Sequence, residues 1–201
     1  MKVQLEKTYP MPGSAEAAWA VLQDIEAVAS CMPGAKITER IGEQQYKGTV
    51  AVKFGPASLS FRGEVKVEAV DAVTRTLRLI GKGTDTTGSS AAAMDLTARV
   101  EAVDGATCNL VGASEVSMSG KAATFGGRMA NAVADQVLQQ FAGNFAAKVQ
   151  AMQQSLAPAP AGTPEPAAAP VPAAPSQLNA LALLWGIVKA WWQSLFGARK
   201  A

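Results

Sequence analysis

The sequence predicts an α+β fold: a curved, seven-stranded antiparallel sheet wrapped on one long C-terminal helix, with two short helices after the first strand. Three observations predict it. Segments of alternating apolar and polar residues recur from Val3 to Met118. One interruption in that run, Ser14 to Ser30, reads as helical. Finally, Thr124 to Gln153 is proline-free and rich in helix formers, long enough for about eight turns.

The elements follow in order. Val3 to Tyr9 alternates as a strand, and Pro10-Met11-Pro12-Gly13 is expected to stop it. Ser14 is an N-cap type that can accept a bond from a free first-turn amide, so Ala15 to Leu22 follows as a helix. Asp24 caps a second helix through Ser30, and Pro33-Gly34 ends it. Ala35 to Ile41 is the next strand. In Tyr46 to Phe54, residues Tyr46, Val50, Val52 and Phe54 share one face. The cleanest alternation comes next: Leu59, Phe61, Val65, Val67 and Ala69 face in, while Arg62, Glu64, Lys66 and Glu68 face out. Side chains reverse direction at each strand residue, so this sheet has one dry and one wet face. Val73 to Ile80, Ser89 to Val103 and Thr107 to Met118 complete seven strands, with a tight turn at Asp104-Gly105. On the long helix, Phe125, Met129, Val133, Val137, Phe141, Phe145 and Val149 recur every fourth residue. A spacing of four overshoots the 3.6-residue turn, so the stripe winds around the helix. It either follows a twisted sheet or forms two faces, one on a core and one over a cavity.

Composition divides the chain into three parts: a domain over 1–155, a Pro/Ala-rich flexible linker over 156–176, and an amphipathic segment over 177–201. Residues 1–156 carry 15 basic and 15 acidic side chains. A neutral domain has no broad basic footprint, which argues against a nucleic-acid partner. The remainder adds Lys189, Arg199 and Lys200 against Glu165. Basic residues beside apolar ones suit an anionic membrane surface. The N-terminus lacks the apolar core of a signal peptide, so the domain is expected in the cytoplasm.

Catalytic signals are few. There is no histidine, which removes the commonest general base and metal ligand. Cys31 and Cys108 lie far apart, without metal-ligand spacing, and read as buried thiols. Gly81 to Gly88 lacks the glycine spacing of a phosphate loop and joins two strands, so it is expected to be a flexible hairpin at a cavity rim. Asp85, Asp95 and Glu115 would make an acid–base pair only if turned inward, and alternation puts Asp95 on the wet face. No metal site and no catalytic residue is assigned.

The element order, together with several local motifs, resembles the CoxG family of carbon monoxide dehydrogenase proteins, within the START-like, birch-pollen-allergen-like helix-grip superfamily. The resemblance spans roughly residues 1–152. It rests on Cys31-Met32-Pro33-Gly34, Val52-Lys53-Phe54-Gly55-Pro56, Phe61-Arg62-Gly63-Glu64-Val65, the turn Gly81-Lys82-Gly83 to Gly88, and Gly120-Lys121-Ala122 leading into Phe125-Gly126-Gly127-Arg128. It implies a non-catalytic accessory protein that binds a respiratory quinone, ubiquinone or menaquinone, in an apolar cavity. It also implies that the protein brings a molybdenum hydroxylase, such as carbon monoxide dehydrogenase, to the cytoplasmic membrane. A pure recruitment or assembly factor without ligand, or an enzyme of the polyketide cyclase or aromatase type, shares the same superfamily fold. The candidate lining comprises Phe54, Leu59, Phe61, Leu79, Met94, Leu96, Leu110, Val116 and Met118 from the sheet, with Phe125, Met129 and Val133 from the helix. Met adapts to irregular apolar guests. Ser114, Tyr46 and Asn131 are candidate polar contacts.

In the tail, successive residues plotted at 100° bring Leu181, Leu184, Trp185, Val188, Trp191, Trp192, Leu195 and Phe196 into one arc, with Asn179, Lys189 and Gln193 opposite. Trp favours the headgroup boundary, and a mid-segment Lys is costly at a bilayer centre. An in-plane helix that makes the domain peripheral on the inner face of the membrane is therefore expected. A spanning helix, a helix docked on a protein, and a fold-back onto the domain stay open. Fully extended at ~3.1 Å per residue, the linker reaches roughly 60 Å.

Overall fold

The structure is a computed structural model that describes residues 1–54, 57–124 and 126–156. The linker, the tail and Phe125 lie outside the described residues, as do the side chains of Phe54 and Ala57.

Strand β1 (Lys2–Pro12) is followed by helices α1 (Ala15–Gln23) and α2 (Ile25–Cys31). Six strands then run in sequence: β2 (Ala35–Arg40), β3 (Gln45–Phe54), β4 (Ala57–Asp71), β5 (Thr76–Asp85), β6 (Ser90–Ala102) and β7 (Thr107–Gly120). A single turn, α3 (Lys121–Thr124), leads into the long helix α4 (Gly126–Leu156). The sheet is seven-stranded and antiparallel throughout, in the order β1-β7-β6-β5-β4-β3-β2. The sequence therefore places all seven strands, both short helices and the long one.

The predicted caps are present. Ser14 Oγ accepts a bond from the Ala17 amide (3.2 Å), and Asp24 Oδ1 accepts one from Ala27 (3.0 Å). Two boundaries differ from expectation. β1 runs through both prolines to Pro12, opposite Asn109 and Thr107. It is an edge strand, and Met1 exchanges backbone bonds in both directions with Met118. Odd-numbered residues therefore face the ladder, and Pro10 and Pro12 turn their missing N–H groups away from it. Gly81 to Asp85 belong to β5, so the hairpin between β5 and β6 is shorter than the glycines suggest.

The core lies at one end of the sheet. Met11, Trp19, Val21, Leu22, Leu77, Val100 and Cys108 pack there with Phe145 and Val149 of α4. Gly13, at φ +131°, lets the chain pass under the helix, since a Cβ there would lie 2.7 Å from Val149 Cγ1. The winding stripe on α4 divides along its length. Phe145 and Val149 are fully buried, Val137 and Phe141 are half-buried, and Met129 is 39% exposed. Asn144 Nδ2 donates to the Cys31 carbonyl (2.9 Å), tying α4 to the end of α2.

Candidate functional site: an apolar cavity under the helix

Inward-facing strand positions follow from register. On β5 they are Leu77, Leu79, Gly81, Gly83 and Asp85, the last four opposite Val67, Val65, Gly63 and Phe61 on β4. On β6 and β7 they include Leu96, Met94 and Ala92, paired across to Ser114, Val116 and Met118. Glycines therefore occupy inward positions on four strands: Gly48, Gly63, Gly81, Gly83 and Gly112. They act in two ways. Gly63 and Gly83 are opposite each other, and a Cβ on Gly63 would sit 2.0 Å from the Lys82 carbonyl. Only a bare backbone allows this approach, which bends the sheet. At Gly81 and Gly112 the nearest atoms to an added Cβ are Met94 Cε at 3.5 Å and Leu96 Cδ1 at 4.0 Å. Those two positions leave room.

The room is a cavity of about 370 Å³ beneath α4. Leu5 and Tyr9 of β1, Leu22 and Ile25 of α1 and α2, Leu79, Met94, Leu96 and Leu110 of the sheet, and Leu138 and Phe141 of α4 line it. A second chamber of about 340 Å³ adjoins it and shares Ala29, Ile37, Val50, Val65 and Met94. Phe61, Val116 and Met118 line this outer chamber. Each chamber falls within the range of small-ligand pockets. The wall is aliphatic and aromatic with few polar groups. Tyr46, buried and facing inward, and Ser114 supply hydroxyls to the inner chamber. The Arg40 guanidinium lies 5.7 Å from the centre of the Tyr46 ring, a cation–π distance. Lys7 also reaches the lining and pairs at 2.8 Å with Asp135 of α4, both well exposed.

Of the twelve lining residues expected from sequence, seven are in these walls: Leu79, Met94, Leu96 and Leu110 inside, with Phe61, Val116 and Met118 outside. Leu59 is half-buried beyond both chambers, opposite Val52. Met129, exposed, and Val133, half-buried, are not among the residues that line these two chambers. Phe54 and Phe125 fall outside the described side chains. Among the candidate polar contacts, Asn131 is exposed and is not in the lining. The sequence reading missed Leu138, Leu22, Ile25 and the β1 residues. Leu138 has a signal: it precedes Phe141 by three and Phe145 by seven, one helix face.

Asp85, Asp95 and Glu115, the carboxylates considered for acid–base work, are engaged in bonds of their own. Asp85 does face inward, buried beside Phe61, but its carboxylate accepts bonds from Thr87 Oγ1, Ser89 Oγ (3.1 Å) and the Ser90 amide (2.7 Å). These bonds, led by the Thr87 hydroxyl, hold it down at a pKa of about 2. Asp95 and Glu115 are cross-strand partners on the wet face. Arg78 grips Asp95 at 2.7 and 3.1 Å, and its hydrogen bond keeps that carboxyl below its ordinary range. Burial pushes both thiols, Cys31 and Cys108, up. Among the described residues no His/Cys/Asp/Glu group could hold a metal, and no helix is long and apolar enough to cross a membrane.

A family model for CoxG, a subunit of carbon monoxide dehydrogenase, matches residues 11–150. The chain belongs to the CoxG family. The matched span runs from the end of β1 to the last turns of α4 and takes in all of the cavity lining except the β1 residues. No curated relative matches the sequence. Among solved structures, a conserved protein from Geobacillus kaustophilus is similar over 74% of this chain and 96% of its own, at 19% identity and a TM-score of 0.67. A START superfamily protein from Mycobacterium smegmatis covers 74% and 98%, at 17% identity and a TM-score of 0.53. The ZhuI aromatase/cyclase from Streptomyces sp. R1128 covers 75% and 94%, at 15% identity and a TM-score of 0.55. At these identities the likeness establishes the START-like helix-grip fold and nothing of chemistry.

Proposed function

We propose that this protein is a non-catalytic carrier: it holds a lipophilic quinone in its apolar cavity and presents it to a molybdenum hydroxylase of the carbon monoxide dehydrogenase type at the cytoplasmic membrane. The observation that carries this reading is the cavity itself, two adjoining apolar chambers that inward glycines keep open. A quinone has a flat head with two carbonyl acceptors and a long apolar tail. The Tyr46 and Ser114 hydroxyls are donors suited to the head, and the aliphatic walls suit the tail. Family membership supports the partner, since the family is named for a component of that enzyme. The non-catalytic reading is supported by the engagement of Asp85, Asp95 and Glu115 in bonds outside the cavity.

Membrane tethering is the second half of the proposal and rests on the tail. Its Trp-rich apolar arc, residues 181–196, has the composition of an interfacial helix. One experiment addresses both halves. The full chain, and a variant ending at Ser176, are produced in a quinone-containing bacterium, and both are fractionated and extracted with organic solvent. The full chain is expected in the membrane fraction and the variant in the supernatant, each carrying near-stoichiometric quinone. Absence of quinone from both, with no uptake of added ubiquinone or menaquinone, would rule out the carrier. Continued membrane association of the shortened chain would remove the tail from the account.

A further inference from the structure

The hydroxyls of the cavity are not spread evenly. Tyr9, Tyr46 and Ser114 all line the inner chamber. Among the described residues, the outer chamber's only hydroxyl belongs to Thr49, which stands in an outward register row with Lys36 and Arg62. Ile37, Val50, Phe61, Val116 and Met118 are what the outer chamber turns inward, with bare glycines between them.

Tyr46 is the most deeply placed of the three, 8% exposed where Tyr9 and Ser114 are half-buried. Its hydroxyl makes no hydrogen bond to any described residue. No polar side-chain atom among those residues is sealed in without a partner, so this oxygen borders the chamber itself. A buried hydroxyl is costly unless it is bonded, so its partner belongs to whatever occupies the chamber. The ring is held in place from the other side. Arg40, opposite Tyr46 in the β2–β3 register, lies over the ring. Its guanidinium donates to the Gly42 and Glu43 carbonyls at 3.1 Å each, so the cation is itself anchored.

The floor of the inner chamber is the core: Leu22, Ile25, Leu77, Ala98 and Leu110 belong to both. The inner end of a guest stops there. A quinone carbonyl only accepts hydrogen bonds, and the inward hydroxyl donors are confined to this chamber. A respiratory-length isoprenoid tail outgrows two chambers of about 370 and 340 Å³, so the tail is the end that must leave.

We infer that the guest lies head-inward: a ring carbonyl accepts a hydrogen bond from the Tyr46 hydroxyl in the inner chamber, and the tail leaves through the outer one. This orientation rests on the carrier reading and adds to it that the reactive ring travels shielded from water.

Photolabelling of the full native chain tests the orientation without any variant. Two short-tailed quinones are used, one with an azide on the ring and one with a diazirine at the tail end, and labelled peptides are read by mass spectrometry. The azide is expected to mark inner residues such as Leu79, Leu96 and Leu110, and the diazirine to mark Phe61, Val116 or Met118. Excess decylubiquinone should suppress both labels at least tenfold. The reverse pattern overturns the head-inward orientation and leaves the carrier standing. Labelling that decylubiquinone does not suppress defeats the carrier reading and the orientation with it. The role of Tyr46 is read from the carbonyl stretch of isotope-labelled decylubiquinone. One carbonyl band should move to lower frequency on binding. Tyr46→Phe should abolish that move and weaken binding about tenfold, the ordinary worth of one hydrogen bond. Decylbenzene, which has the tail but no carbonyl, should bind both proteins equally. Identical carbonyl bands in the two proteins, or an equal loss of decylbenzene binding, overturns the assignment of Tyr46.

Discussion

The two ends of the sheet are made from the same strands and differ in the side-chain volume those strands supply. On β5, Leu77 and Leu79 give way to Gly81 and Gly83. On β6, Val100 and Ala98 at one end give way to Ala92 at the other, and on β7, Cys108 and Leu110 lead to Gly112 and Ser114. The helix mirrors the sheet: Phe145 and Val149 are fully buried over the filled end, while Met129, in the first turns, is 39% exposed. A cavity of this kind is not a packing defect. It is opened by bare glycines at inward positions, Gly81 and Gly112 above all, while Phe61, Met94, Val116 and Met118 line the space that is left and the largest fully buried side chains gather at the other end.

Truncating the filled end breaks the comparison most directly. Phe145→Ala removes a fully buried ring whose centre lies 5.7 Å from that of Phe141. It should destabilise the domain by about 3–5 kcal/mol, or roughly 6–20 °C in Tm. Met129→Ala, the same operation at the open end, should stay within about 0.5 kcal/mol. Urea unfolding followed by circular dichroism measures both. Similar losses at the two sites would mean the helix packs evenly along its length.

Filling the open end reverses the test. Gly81→Val and Gly112→Val add volume where the nearest atoms are 3.5 and 4.0 Å from the new Cβ. Stability should change by no more than about 1–2 kcal/mol, the ordinary cost of moderate overpacking. Quinone affinity should fall about tenfold, equivalent to about 1.4 kcal/mol. Titration with a short-chain quinone reads this out, and unchanged affinity would place the guest elsewhere.

The sequence made much of this legible, for local reasons. Period-two alternation on β4 and β7 marked inward residues such as Phe61, Leu110 and Val116, and Ser14 and Asp24 announced two helix starts. What it concealed depends on neighbours that only folding supplies. β1 continues through Pro10 and Pro12 because it is an edge strand, and edge position is a property of the sheet. The four-residue stripe on α4 identified Phe141 and Phe145 as inward. It also enlisted Met129 and Val133, which are not among the lining residues of the two chambers, because a repeat alone does not tell which turns of a helix cover a cavity. Gly81 and Gly83 read as part of a hairpin loop, yet they are strand residues.

The open end still needs rigidity, and hydrogen bonds provide it where apolar packing does not. Asp85 holds the β5–β6 hairpin through Thr87, Ser89 and the Ser90 amide, and Ser90 Oγ in turn accepts a bond from the Ala122 amide (3.0 Å) at the turn into α4. Gly120, at φ +68°, permits the same closure, since a Cβ there would lie 2.0 Å from the Ser89 carbonyl. The Asp85 carboxyl titrates at about 2 in the fold against an ordinary 3.8. A depressed folded pKa means the charged form is the stabilising one. Its contribution is complete above the unfolded value and is lost as pH falls through about 2. Asp85→Asn should therefore lower Tm at pH 7, and the gap to the native chain should close as pH drops from 4 toward 2. Hydrogen exchange should show the loss as faster opening of Ser90 and Ala122 while Phe145 and its neighbours stay protected. A gap that persists unchanged at pH 2 would show that the carboxylate's charge does not hold this end, leaving the bare geometry of the glycines to do so.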